Sequence, residues 1–134
     1  MAGARNQRPR VLVVEDDAAL LRLVSRLISE FADVEMASNG KEALEVVQAT
    51  LAPGTPSFDL IVTDVMMPLM DGLTLARELK ADARLGRIPI IMLTAKNSSL
   101  DVIKGINAGA RTYLTKPFKQ DELITKARKL LRLP

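Results

Sequence analysis

Three runs of the chain are almost continuously apolar: VLVV at 11–14, LIV at 60–62 and IIML at 90–93. Strands that read this way are covered on both faces, as in a parallel sheet flanked by helices. Val34 to Ala37 and Thr112 to Leu114 are weaker strand candidates, which brings the count to five. Between these runs the apolar period lengthens. Leu20, Val24, Leu27, Ile28 and Phe31 recur at helical spacing, with Arg22, Ser25, Arg26 and Ser29 largely on the other side. A second helix is predicted from Asn39, whose side chain can cap it while Glu42 reaches back, through Ala43, Leu44 and Val47. A third runs from Leu73 to about Lys80, and a fourth from about Ser99 to Ala108, closed by Gly109. The fifth carries one apolar stripe of Leu123, Ile124, Ala127, Leu130 and Leu131.

The order of elements is therefore (βα)5. Alternation of this kind implies right-handed crossovers and an α/β fold with a doubly wound, five-stranded parallel sheet. The flavodoxin-like strand order 2-1-3-4-5 is the expected one, and it sets strands 1 and 3 side by side where the winding direction reverses. Ligands bind there, beyond the C-terminal strand ends. The Pro/Gly-rich segment LAPGTPS (51–57) precedes strand 3 at the other end of the sheet and reads as an inert surface insertion.

Composition narrows the chemistry. A chain of 134 residues fits one domain, with residues 1–9 read as a basic tail and 10–134 as the folded unit. It has neither cysteine nor histidine, which excludes disulfides, thiolate or imidazole metal sites, a histidine general base and an internal phosphohistidine. The formal charge of +3 and pI near 9.4 raise nucleic-acid binding as an option. Arg5, Arg8 and Arg10 form one basic cluster, and Lys126, Arg128, Lys129 and Arg132 another. No aromatic interleaving or recognition-helix signature accompanies them, so both read as solvated surface and direct nucleic-acid binding is not expected. No segment approaches the roughly 18 apolar residues of a membrane span. A soluble, cytoplasmic protein is expected.

The predicted sheet order brings the residues at the strand ends into one crevice. Strand 1 leads into Glu15, Asp16 and Asp17, strand 3 into Asp64, strand 4 into Thr94 and Ala95, and strand 5 into Lys116 and Pro117. Taken singly, these residues suit helix starts, turns, caps or plain surface. Taken together they suit phosphoryl transfer. Clustered carboxylates repel one another unless a cation sits among them, and an all-oxygen ligand set selects Mg²⁺ or a similar hard ion. Asp16 and Asp64 are expected to ligate it directly, and Glu15 through a water. A carboxylate is also a competent nucleophile toward phosphorus, and Asp64, nearest the crevice centre, is the candidate. The Lys116 ammonium and the Thr94 hydroxyl would each hold a phosphoryl oxygen.

The blocks VLVVEDD (11–17), DLIVTDVMMPLMDG (59–72), IPIIMLTA (88–95) and GARTYLTKPF (109–118) closely resemble the receiver domains of two-component response regulators, from about Arg10 to Leu131. That resemblance implies that Asp64 is the phosphoacceptor, with Glu15 and Asp16 as the acidic pair and the Met66 backbone carbonyl as a further metal ligand. It makes Thr94 the switch hydroxyl, Tyr113 the switch aromatic and Lys116 the phosphate-binding lysine. Lys116-Pro117 is then a cis peptide, and Pro68 and Gly72 shape the loop after the acceptor. The implied donor is a phosphohistidine on a histidine kinase or phosphotransfer protein. The implied output surface is the fourth helix, fifth strand and fifth helix, acting on a downstream effector or output domain.

Departures from the family pattern qualify these expectations. Many winged-helix regulators carry an Asp-Asp pair in the fourth block, where this chain has Arg111-Thr112. Dimerisation through that subfamily's charge pairs is not expected, which leaves a monomer or a phosphorylation-dependent dimer. Both a stand-alone regulator and a piece of a longer one are compatible with an ending at Pro134. Met66 offers no amide or carboxylate to orient a hydrolytic water, so with Lys96 it predicts a long-lived phosphoform. The main rival is a small Mg²⁺-dependent aspartyl phosphatase, whose signature needs a second aspartate two positions after the nucleophile. Met66 stands there instead.

Overall fold

The computed structural model describes residues 8–95, 104 and 107–134. Five strands, β1 (Arg10–Val14), β2 (Asp33–Ala37), β3 (Leu60–Asp64), β4 (Ile90–Ala95) and β5 (Thr112–Lys116), form one parallel sheet in the order β2-β1-β3-β4-β5. Helices α1 (Ala18–Ser29), α2 (Gly40–Ala49), α3 (Gly72–Lys80) and α4 (Gln120–Leu130) connect or follow them, with a short 3-10 turn at Leu85–Arg87. α4 is the fifth helix of the sequence pattern. Most of the fourth predicted helix lies outside the described residues, although Lys104, Asn107 and Ala108 are helical and Gly109 follows with φ +106°.

The strands alternate their side chains between two cores. Leu12, Val14, Ile61, Ile90 and Met92 face α2 and α3, while Val11, Val13, Leu60, Val62, Ile91 and Leu93 face α1 and α4. Burial on both faces is why these strands read as unbroken apolar runs. The helix starts are fixed by short polar side chains. Asp17 accepts from the N–H groups of Ala19 and Leu20. Asn39 accepts from Glu42 N–H at 2.8 Å, and Glu42 reaches back to Ser38 N–H at 3.0 Å. Asp71 caps α3 through Thr74 N–H at 2.7 Å.

Three strands extend beyond their apolar runs. β3 continues through Thr63 and Asp64, β4 through Thr94 and Ala95, and β5 through Thr115 and Lys116. The ladder supplies the reason: Asp64 pairs with Leu93, Thr94 with Thr115 and Ala95 with Lys116, so the backbone stays paired after the apolar pattern stops. Asp64, Thr94 and Lys116 thereby sit on strands, while Glu15 and Asp16 follow the end of β1.

Two residues of the predicted tail pack on the fold. Arg8 donates to the carbonyls of Ser29 and Ala32, and the Pro9 carbonyl accepts from Asp33 N–H at 2.8 Å. The 51–57 segment is largely exposed. It leads into buried Phe58, over whose ring the Arg10 guanidinium lies at 4.6 Å. No helix among the described residues is long and apolar enough to cross a membrane.

Candidate functional site

Adjacent central strands deliver the first two acids. β1 runs into Glu15 and β3 ends on Asp64, and the two strands are paired along their length, Val14 opposite Thr63. Glu15 is only 1% exposed and Asp64 8%. Such burial of two carboxylates demands partners. Glu15 Oε2 accepts from Asp17 N–H at 3.0 Å, and Asp64 Oδ1 accepts from Val65 N–H at 2.8 Å. Their remaining oxygens share one cation, since Lys116 Nζ donates to Glu15 Oε1 and to Asp64 Oδ2, each at 2.9 Å. Lys116 comes from the last position of β5, ahead of the cis Lys116-Pro117 peptide.

The electrostatics follow from burial. Burial pushes the Glu15 carboxyl above its ordinary value, and the Asp64 charge adds to the rise; the Asp17 N–H and Lys116 pull the other way. Burial also works to lower Lys116. The hydrogen bonds to Asp64 and Glu15, with their charges, outweigh it, and the ammonium is held above its ordinary value.

Glu15, Asp16 and Asp64 each offer a carboxylate oxygen, and the three oxygens lie within 4.8 Å of one another. Ligands of an octahedral ion with bonds near 2.1 Å are separated by about 3 to 4.2 Å, so the cluster needs only small adjustments to grip Mg²⁺. Its all-oxygen donor set fits a hard cation.

The four predicted residues Glu15, Asp16, Asp64 and Lys116 therefore come together. Thr94 lies at the same rim, 1% exposed, its hydroxyl 3.5 Å from the Leu114 carbonyl. Tyr113 stands outside the cluster, 40% exposed on β5 and paired with Met92. Met66, two residues past Asp64, is 69% exposed.

Three supports surround the cluster, of which Gly72 was expected from the family resemblance and Asp17 from its suitability for a helix start. The acidic triplet turns out to divide its roles, with Asp17 capping α1 while its own N–H holds buried Glu15. Gly72 lies so close to the end of β3 that a Cβ there would overlap the Asp64 carbonyl oxygen, and its N–H donates to the Val65 carbonyl at 2.8 Å. Gly40 N–H donates to the Met70 carbonyl at 3.0 Å, tying the loop after β3 to the start of α2. Within that loop Leu69 adopts a left-handed φ of +68°.

Comparison with known proteins agrees with this geometry. The response regulator receiver domain profile matches residues 11–128. The DNA-binding response regulator MtrA of Mycolicibacterium paratuberculosis is 40% identical over 126 residues, covering 93% of this chain and 52% of that protein. The chain thus spans about half the length of this relative. Among solved structures, the Francisella response regulator 1452 receiver domain is 36% identical with a TM-score of 0.79, covering 92% of this chain and 97% of its own. The receiver domain of sensor histidine kinase PA1611 from Pseudomonas aeruginosa, described with a magnesium ion coordinated in the active site cleft, is 27% identical with a TM-score of 0.81, covering 93% and 98%. The chain belongs to the response regulator receiver domain family, the regulatory domains of two-component signalling.

Proposed function

We propose that Asp64 accepts a phosphoryl group from a phosphohistidine on a histidine kinase or phosphotransfer protein, and that the acyl phosphate controls a downstream effector or output domain. The observation that carries this reading is the convergence of Glu15, Asp16 and Asp64 at the sheet's switch point, with the Lys116 ammonium bonded to Glu15 and Asp64. Residues 10–134 form the phosphorylated unit, acting in the cytoplasm, with the basic segment 1–9 ahead of it.

In the transfer, an Asp64 carboxylate oxygen forms the new O–P bond while the P–N bond to the donor imidazole breaks. The electron pair returns to the imidazole nitrogen. Glu15, Asp16, Asp64 and the Met66 carbonyl would hold Mg²⁺, with Glu15 acting through a water; the bound ion neutralises charge on the transferring group. Lys116 exchanges its hydrogen bond to Asp64 for one to a phosphoryl oxygen. Thr94 gives up its long contact with the Leu114 carbonyl to donate to another. Leu114 directly follows Tyr113, so freeing that carbonyl relaxes the strand segment that carries the switch aromatic. The phosphate's added charge and acceptor oxygens thereby bias an inactive/active equilibrium read at the fourth predicted helix, β5 and α4.

This is regulation through a single covalent event rather than turnover. Intact mass after incubation with a small-molecule phosphodonor and Mg²⁺ tests it. One added phosphoryl group per chain is expected, abolished by chelator and by Asp64→Ala. Continuous phosphate release without a stable adduct would favour an aspartyl phosphatase instead. The proposal assigns no DNA contact to this chain, although MtrA is a DNA-binding regulator.

A further inference from the structure

The rim of the sheet opposite the acidic cluster concentrates charge of the other sign. An open cavity of about 750 Å³ is lined by Arg8, Arg87, Arg111, Lys129 and Arg132, with Asp59 its one acid. Arg8 is engaged by the carbonyls at the end of α1 and by Asp33. Arg87, Arg111, Lys129 and Arg132 have no ion-pair partner among the described residues. Asp59 is already occupied, since its Oδ2 accepts from Arg10 N–H at 2.9 Å. Arg8 from one basic cluster of the sequence and Lys129 and Arg132 from the other thus line one concave surface built from the segment before β1, the turn before β4, the approach to β5 and the end of α4.

Arg132 strengthens the case. It follows α4 with φ +57°, a left-handed position where glycine is the cheaper residue. The chain nevertheless places a guanidinium there, at the cavity wall.

The lining chemistry selects the occupant. A second cavity of about 740 Å³ shares Arg111, Lys129 and Leu130 with the first, so the surface is a track for an extended ligand rather than a seat for one ion. Neither lining includes an aromatic side chain, which removes the stacking platforms that single-stranded nucleic acids use. Asp59 in one cavity and Asp121 and Glu122 in the other would repel a uniform phosphate backbone. Prolines and leucines alternate with the cations in the first cavity. Carboxylates spaced among apolar side chains match that surface, and arginine binds carboxylates in bidentate fashion.

We propose that this rim is a docking groove for an acidic, partly apolar peptide segment of a protein partner. Its first cavity lies at the far end of the sheet from Asp64, the second continues along α4 toward Lys119, and the proposal does not rest on the phosphoacceptor assignment.

Fluorescence anisotropy of a short fluorescein-labelled peptide alternating glutamate and leucine, titrated with the full chain, tests the groove. Saturable, salt-sensitive binding is expected, weakened at least about tenfold by the double substitution Arg111→Glu, Lys129→Glu. Asp64→Ala should bind as wild type does. Arg132→Gly relieves the left-handed position, so it should weaken the peptide while keeping or raising Tm, which separates lost binding from lost folding. The proposal is overturned by absence of saturable binding, by binding indifferent to these substitutions, or by equal binding of the glutamine-for-glutamate peptide. Tighter binding of a labelled oligonucleotide through the same residues overturns it as well.

Discussion

Lys116→Met removes the ammonium that Glu15 and Asp64 share while keeping an aliphatic stem of similar length. Two hydrogen bonds of 2.9 Å are lost, and two carboxylates exposed by only 1% and 8% are left facing each other. Removing one partner of a fully buried pair costs about 3–5 kcal/mol. The Lys116 side chain is 27% exposed, so water can enter the gap, and a discounted loss of about 2 kcal/mol is expected in metal-free protein. For a domain of this size that lowers Tm by roughly 6–10 °C. Mg²⁺ should take over part of the lysine's role, so by linkage the variant binds Mg²⁺ more tightly, by up to about thirtyfold, and the Tm deficit shrinks as the metal is added. The deficit also depends on pH. Glu15 is already raised in the folded protein and loses a lowering influence with Lys116, so its protonated form is favoured by folding. The deficit is then full above the folded-state value and narrows as pH falls through it. Thermal unfolding followed by circular dichroism, with chelator and with Mg²⁺, measures all three effects. An equal Tm deficit in both conditions would mean that ammonium and metal do not act on the same carboxylates, and the reasoning fails.

Gly72→Ala forces a Cβ against the Asp64 backbone carbonyl, which cannot yield without moving the end of β3. A loss of about 1–3 kcal/mol is expected in denaturant titration, together with slower phosphorylation by a small-molecule donor. Because metal binding requires an ionised Glu15, Mg²⁺ affinity measured by calorimetry should fall as pH is lowered, with the decline beginning above the ordinary Glu value of 4.5. Met66→Asn offers the hydrolytic water an amide at an exposed position and should shorten the phosphoform half-life in purified protein. An unchanged half-life would remove Met66 from the account of its stability.

The apolar runs made the strand starts legible, and with the alternating helices they carried the sheet order. They placed the ends of β3, β4 and β5 two residues early, because backbone pairing continues there through mostly polar residues, Thr63, Asp64 and Thr94 among them even though these are buried. The acidic cluster was legible through topology and the family resemblance, not locally: Glu15 and Lys116 are 101 positions apart, and a shared hydrogen bond between them has no local signature. The close approaches at Gly72 and Gly40 were illegible for a different reason, since a glycine that must admit a neighbouring carbonyl looks the same as one that merely permits a turn. That Arg8 lies on the same cavity wall as Lys129 and Arg132 was illegible as well, because nothing in either basic cluster predicts that the end of α4 returns beside Arg8.

Strand order explains why a site of this charge can exist inside so apolar a molecule. Glu15 directly follows β1 and Asp64 ends the neighbouring β3, so a 1-3 pairing alone would create only repulsion. The compensating cation has to come from outside that pair, and among the described residues neither β2 nor β4 supplies one at this rim, since they end in Ala37 and Ala95. Lys116, at the end of the edge strand β5, is long enough to reach past the small Ala95 register partner to both acids. Filling the end of β4 with a bulky side chain would block that reach, and leaving β5 two residues shorter would place the lysine in a loop free to swing into water. The extension of β4 and β5 beyond their apolar runs is therefore what holds the ammonium at 2.9 Å from two carboxylates.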